Sequence, residues 1–136
     1  MRSLLVLTIL VLAALGPVRA QAVRGTASAG ANAGMQQRIV GTWSMSQSQF
    51  FKQTITITTN GDYVALQTTA PFQTNRLEGT MTVNGVYLVD TIKKSSRTNE
   101  PVPQSFTNKL VRVNSRELLF QTPGHGQLVA FIRVAP

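Results

Sequence analysis

Across residues 39–134 the chain consists of short runs in which apolar and polar residues alternate, rich in Thr, Val, Ile, Phe and Tyr. A period of two with that composition predicts half-buried β-strands, and no stretch carries the 3.6-residue spacing of a long helix. Two dipeptides, Asn60-Gly61 and Asn84-Gly85, fall between alternating runs. Both central residues of a type I′ turn need positive φ, which Asn tolerates and Gly adopts freely, so each dipeptide predicts a tight hairpin. A two-residue turn at Asn60-Gly61 sets Thr59 opposite Asp62, Ile57 opposite Val64 and Ile55 opposite Leu66. The four hydrophobes then share one face, and Thr54, Thr56, Thr58, Tyr63, Ala65 and Gln67 share the other. The same construction at Asn84-Gly85 pairs Val83 with Val86, Met81 with Leu88 and Leu77 with Ile92. It leaves Asp90 on the apolar face opposite Gly79. A slip of one residue would exchange the two faces of a strand.

Further strands are expected within residues 39–46, 105–113, 116–121 and 127–134, with a short helical turn at residues 35–38. About eight antiparallel strands with one apolar face close naturally into a barrel, which buries that face and removes exposed edges. The expected fold is therefore all-β, an eight-stranded antiparallel up-and-down barrel. A barrel of this size in an outer membrane would need apolar outward faces and aromatic girdles. Here the outward positions are largely Thr, Gln, Lys and Glu, and aromatics make up only 7% of the chain, which argues against it.

Residues 1–20 have a different pattern. Arg2 is followed by an apolar run from Leu4 to Leu15 broken only by Thr8, and then by Gly16-Pro17-Val18-Arg19-Ala20. That run falls well short of the about 20 residues needed to cross a bilayer, and it suits a signal peptide cleaved after Ala20 or Ala22. An uncleaved N-terminal anchor is the alternative. The expected localisation is export, to the periplasm or outside the cell, with no stable membrane insertion once the leader is removed. Residues 21–34 are rich in Ala, Gly and Ser without periodicity and predict a flexible linker, leaving residues 35–136 as one domain.

Composition narrows the chemistry. The chain has 13 Lys+Arg, 5 Asp+Glu, one His, one Trp and no Cys. Lack of cysteine excludes disulfides and thiol nucleophiles, and a single histidine offers little for a metal site, so no metal and no cofactor are expected. His125 lies in Pro123-Gly124-His125-Gly126, a turn composition, with no nucleophile or orienting carboxylate spaced to serve it. No catalytic residue is assigned and no enzyme activity is expected. The chain stays basic after losing Arg2 and Arg19, but nucleic-acid binding would need aromatic residues interleaved with basic ones on one face. That pattern is not present, and no nucleic-acid partner is expected.

A helical turn, then Gly41-Thr42-Trp43 on the first strand, then a meander with Asn-Gly hairpins resembles the lipocalin-like (calycin) group over residues 39–134. It is most similar to the small bacterial lipocalin-like domains. The resemblance implies that Trp43 packs across the closed end of the barrel beside Gly41. It also implies that a basic residue of the last strand, here Arg133, lies over the ring, an attraction of about 0.5–2 kcal/mol. The chain departs from full lipocalins in its short barrel and in lacking their usual disulfide. The function implied is an exported, non-catalytic protein binding a small hydrophobic or amphipathic ligand. The hairpin faces would line that site with Ile55, Ile57, Val64, Leu66, Met81, Leu88, Asp90 and Ile92, with residues 93–104 as a lid. Asp90 on such a face needs a partner, water at the rim, or a raised pKa. The alternative is a protein-interaction module, an exported inhibitor or envelope assembly factor with a filled barrel, whose partner is another protein. An eight-stranded barrel this small is narrow for the usual ligand cavity of roughly 300–1,000 Å³, so both readings stay open.

Overall fold

The computed structural model describes residues 29–71 and 73–135; the leader and residues 21–28 of the expected linker lie outside them. Eight antiparallel strands close into a barrel in chain order: β1 (Gly41–Ser48), β2 (Phe51–Ile57), β3 (Asp62–Thr69), β4 (Gln73–Asn84), β5 (Tyr87–Ser95), β6 (Gln104–Val113), β7 (Glu117–Gln121) and β8 (Leu128–Ala135). The last strand returns to the first through Trp43 opposite Arg133 and Ser44 opposite Ile132, so the expected up-and-down topology is the one observed.

One helix, α1 (Ala29–Ile39), precedes the barrel. It is longer than the helical turn expected at residues 35–38, and residues 29–34 belong to it rather than to a linker. The helix has no apolar stripe for the sequence pattern to reveal. Its last turn is anchored by Ile39, wholly buried, with Met35 packed against the core, and the rest is held by two polar side chains one turn apart, at the spacing that puts them on one helix face. Asn32 Oδ1 accepts from Gly85 N at 3.0 Å; Gln36 Oε1 accepts from Val83 N at 2.8 Å while its Nε2 donates to Met81 O at 3.0 Å. Pairing of β3 with β4 ends at Asp62 opposite Thr80, with one last bond from Met81 N to Gly61 O at 2.7 Å, so Met81 O and the backbone of β4 beyond it need other partners. The helix supplies them.

The first hairpin differs from its expected register by one residue. Ile57 stands opposite Tyr63 and Ile55 opposite Ala65, so Tyr63 and Ala65 face inward while Val64 and Leu66 face out. The turn holds three residues, not two. Gly61 N bonds Thr58 O at 3.0 Å, Gly61 then takes φ +87°, and Thr58 N bonds Asp62 O at 2.9 Å. That is a type I turn closed by a left-handed glycine, the usual three-residue alternative to the Asn-Gly two-residue turn. Thr58 and Asp62 side chains both engage Asn60, which favours the wider turn. The second hairpin shifts by two residues, placing Val83 opposite Leu88 and Met81 opposite Asp90, with Val86 exposed in the turn. An even shift keeps each side chain on its expected face. A bulge between Glu78 and Gly79 then sets Leu77 opposite Ser95 rather than Ile92.

Candidate functional site

The barrel interior divides into a packed end and a more accessible one. At the packed end Ile39 and Trp43 are wholly buried, and Trp43 Nε1 donates to Ile39 O at 2.8 Å, satisfying the indole on the last residue of α1. The Arg133 guanidinium lies 4.1 Å above the Trp43 ring. Its two terminal nitrogens donate to Val40 O at 2.9 Å and Arg38 O at 3.0 Å. Arg133 thus ties the first strand's entry to the last strand, and the pair expected from Gly41, Trp43 and Arg133 is formed.

Of the residues expected to line a ligand site, Ile55, Ile57, Met81, Leu88 and Ile92 are buried in one continuous core with Trp43 and Phe131. Their surfaces are committed to one another. Val64 and Leu66 lie on the outer wall, Leu66 45% exposed, and belong to no interior site. The correction has a packing reason. Ala65 sits in the lateral row Trp43, Ile55, Ala65, Leu77, where a small side chain accompanies the bulky indole.

The polar residue that the one-residue change brings inside is Tyr63. It stands opposite Gly79, where an added Cβ would come within 3.0 Å of the tyrosine ring and 2.0 Å of Thr91 O. The bare glycine therefore makes room for the ring to lie across β4 toward Asp90 on β5. Burial, followed by the Asp90 charge, pushes the Tyr63 hydroxyl far above its ordinary value, so it stays a proton donor. Burial also pushes the Asp90 carboxyl up to about 6, against the hydrogen bond from Tyr63, which lowers it. Asp90 Oδ1 is sealed from water and has no hydrogen-bond partner. The rim position with water access, one of the expectations for this residue, does not hold for that oxygen.

A second polar group closes the connection between β5 and β6. Asn75 is wholly buried, and its Oδ1 accepts from Ser96 Oγ at 2.8 Å and Ser95 Oγ at 3.2 Å. Its Nδ2 donates to Glu100 Oε2 at 3.2 Å, and Ser95 Oγ donates to the same carboxylate oxygen. Residues 93–95 thus belong to β5, and the remainder of the expected lid is pinned to β4 through Asn75 rather than lying free over the barrel. The Glu100 charge adds a smaller upward push on the Tyr63 hydroxyl, after burial and Asp90.

Interior residues toward the end away from α1, among them Met45, Phe51, Gln53, Gln67 and Gln104, are only half-buried. They form a mouth with polar and apolar sides. On the outer wall, a furrow of about 460 Å³ runs beside Thr56, Val64, Glu78 and Lys94. A second, of about 330 Å³, runs beside Tyr87, Lys109 and Gly124. Both are open channels between largely exposed side chains. His125 is exposed in its turn, and no cluster of three potential metal-ligating side chains occurs among the described residues. Among the described residues, no helix is long and apolar enough to cross a membrane. Neither a family model nor a curated protein matches the chain.

Proposed function

We propose that this chain is an exported, non-catalytic, lipocalin-like binding protein that takes a small amphipathic ligand at the mouth of the barrel. The observation that carries the reading is the division of the interior. The half under α1 is close-packed, whereas the other half keeps half-buried Gln, Met and Phe side chains facing inward. Gln67 is held by Asn75 Nδ2 at 3.4 Å, whereas among the described residues Gln53 and Gln104 take no side-chain bond and leave their amides to water or a ligand. The ligand is thus held by the mouth and reaches the core only at its tip. The Trp43–Arg133 pairing and the preceding helix support the likeness to lipocalin-like barrels.

The test is native mass spectrometry of the mature protein purified from its own host, alongside titration with the neutral fluorescent probe N-phenyl-1-naphthylamine. A co-purifying small molecule, or saturable probe uptake lost in Gln53→Trp, supports the mouth as a site. An empty protein that also fails to take the probe overturns it.

The protein-interaction reading keeps one observation of its own. The outward residues of β8, namely Leu128, Ala130, Ile132 and Val134, are all apolar and all exposed, unlike the Thr-rich wall elsewhere. Such a stripe suits contact with another protein. Ile132→Lys abolishing a co-purifying protein partner, with probe uptake intact, would favour this second reading.

A further inference from the structure

The apolar stripe of β8 does not stand alone on the barrel wall. Leu128, Ile132 and Val134 are each more than half exposed, with Ala130 exposed between them. Strand pairing extends the stripe sideways, since Ala130 stands opposite Leu119 on β7 and Leu119 opposite Arg112 on β6. Between Leu110 and Arg112 the register slips by one residue, and Val111 is the residue left over. The bulge leaves Val111 and Arg112 both exposed, so an apolar and a basic side chain follow one another there. On the other flank lies β1, with Ser44 opposite Ile132 and no charged residue along its length. Four alternate residues of one strand make the stripe about 20 Å long.

Its β6 border is basic. Lys109 stands opposite Gln121, which stands opposite Leu128 at one end of the stripe. Arg112 is level with Ala130, and Arg116 adjoins the other end, its carbonyl accepting from Arg133 N at 2.8 Å. The acid on this wall is Glu117, opposite Ile132, and Arg112 holds it at 3.1 Å. Lys109 and Arg116 are exposed and, among the described residues, make no ion pair. The second basic group, Arg76 and Lys94 around Glu78, has no such stripe beside it: Leu66 there stands between Thr54 and Arg76.

We infer that the β6–β8 wall adsorbs the barrel to an anionic lipid surface, the β8 stripe entering the headgroup boundary while Lys109, Arg112 and Arg116 meet lipid phosphates. Apolar contact and cationic border are the two contributions that hold a protein on such a surface without insertion. Tyr87, opposite Lys109 and exposed, sets an amphipathic ring at headgroup level. A second copy is disfavoured, because it would bring the same cations of a strongly basic chain against one another. A protein partner is the rival, but the centres of protein interfaces are enriched in aromatic residues and Met, and this stripe holds only Leu, Ala, Ile and Val. Every strand of the closed barrel is already paired, so contact is through side chains alone. Adsorption here does not depend on whether the mouth takes a ligand.

The experiment sediments the mature protein with vesicles of phosphatidylcholine alone and of phosphatidylcholine with about one-third phosphatidylglycerol, at low and at near-physiological salt. Binding to the anionic vesicles is expected to be about tenfold or more the stronger, and to weaken as salt rises. Ile132→Ser combined with Val134→Ser should lower it about tenfold through lost apolar contact. Lys109→Gln combined with Arg116→Gln should reduce the preference for anionic over neutral vesicles about tenfold. All four positions are exposed, and circular dichroism checks that the variants keep the fold. Equal binding to the two vesicles, or an anionic preference untouched by the serine variant, overturns the proposal. So does a dimer, or a co-purifying protein, that the serine variant abolishes while the wild-type protein leaves both vesicles unbound.

Discussion

Asp90→Asn separates the cost of the buried charge from everything else at that position. Burial lifts the Asp90 carboxyl from its ordinary 3.8 to about 6 in the folded protein. Between those values the folded state holds a proton that the unfolded chain has already released, so stability falls as pH rises through this window. The loss is complete above pH 6 and absent below about pH 4. Two pKa units correspond to about 3 kcal/mol, which sets the upper end of the effect. Asparagine cannot ionise, keeps an oxygen for Tyr63, and brings an amide whose own cost is the same at every pH. The informative quantity is therefore the gap between variant and wild type, followed by urea unfolding at pH 4, 5, 6 and 7 through the fluorescence of Trp43, the only tryptophan. Relative to wild type, the variant should gain about 2–3 kcal/mol between pH 4 and pH 7. Tyr63 stays protonated throughout and contributes no slope. A gap that does not change with pH would refute the assignment of Asp90 as a buried, uncompensated charge.

Leu66→Lys should cost under about 1 kcal/mol, because the side chain already faces solvent, whereas Ile57→Ala should cost about 2–5 kcal/mol. Urea midpoints in the reverse order would restore the two-residue turn at Asn60-Gly61. Gly79→Ala should cost about 3 kcal/mol or more, since its methyl meets Thr91 O and the Tyr63 ring with no room to yield; a melting temperature within a degree of wild type would contradict that packing. Trp43→Ala should cost about 3–5 kcal/mol, and Arg133→Met about 2, by leaving two carbonyls unpaired and removing the cation from the ring. Chemical denaturation of both variants and of the double variant tests whether the two act as one unit.

Strand number, order and approximate limits were legible in the chain because period two survives any small error in pairing. Facing was legible only where the error in register was even. At Asn84-Gly85 a shift of two residues leaves Met81, Leu88 and Ile92 inside; at Asn60-Gly61 a shift of one turns Val64 and Leu66 out and brings Tyr63 in. Both registers bury hydrophobes, so local alternation had no means of choosing. A nonlocal signal was present. The inward series Leu77, Gly79, Met81, Val83 contains one glycine, and a glycine at an inward strand position marks the close approach of a large neighbour. That neighbour is Tyr63. The length of α1 escaped notice for a different reason: its contacts to β4 are polar and reach 45 to 53 residues along the chain, so no apolar period announces them.

Those contacts bear on how the chain avoids self-association. From Met81 O onward, the edge of β4 that the first hairpin does not reach would present bare amide and carbonyl groups, a template on which any extended segment could add itself. Asn32 and Gln36 occupy those groups with side chains that imitate a passing strand but offer no further edge for growth. Because polypeptides are made from the amino end, the cover is synthesised before the edge it protects. Substituting both residues by alanine should thus appear less as lost affinity for any ligand than as aggregates during refolding at high protein concentration.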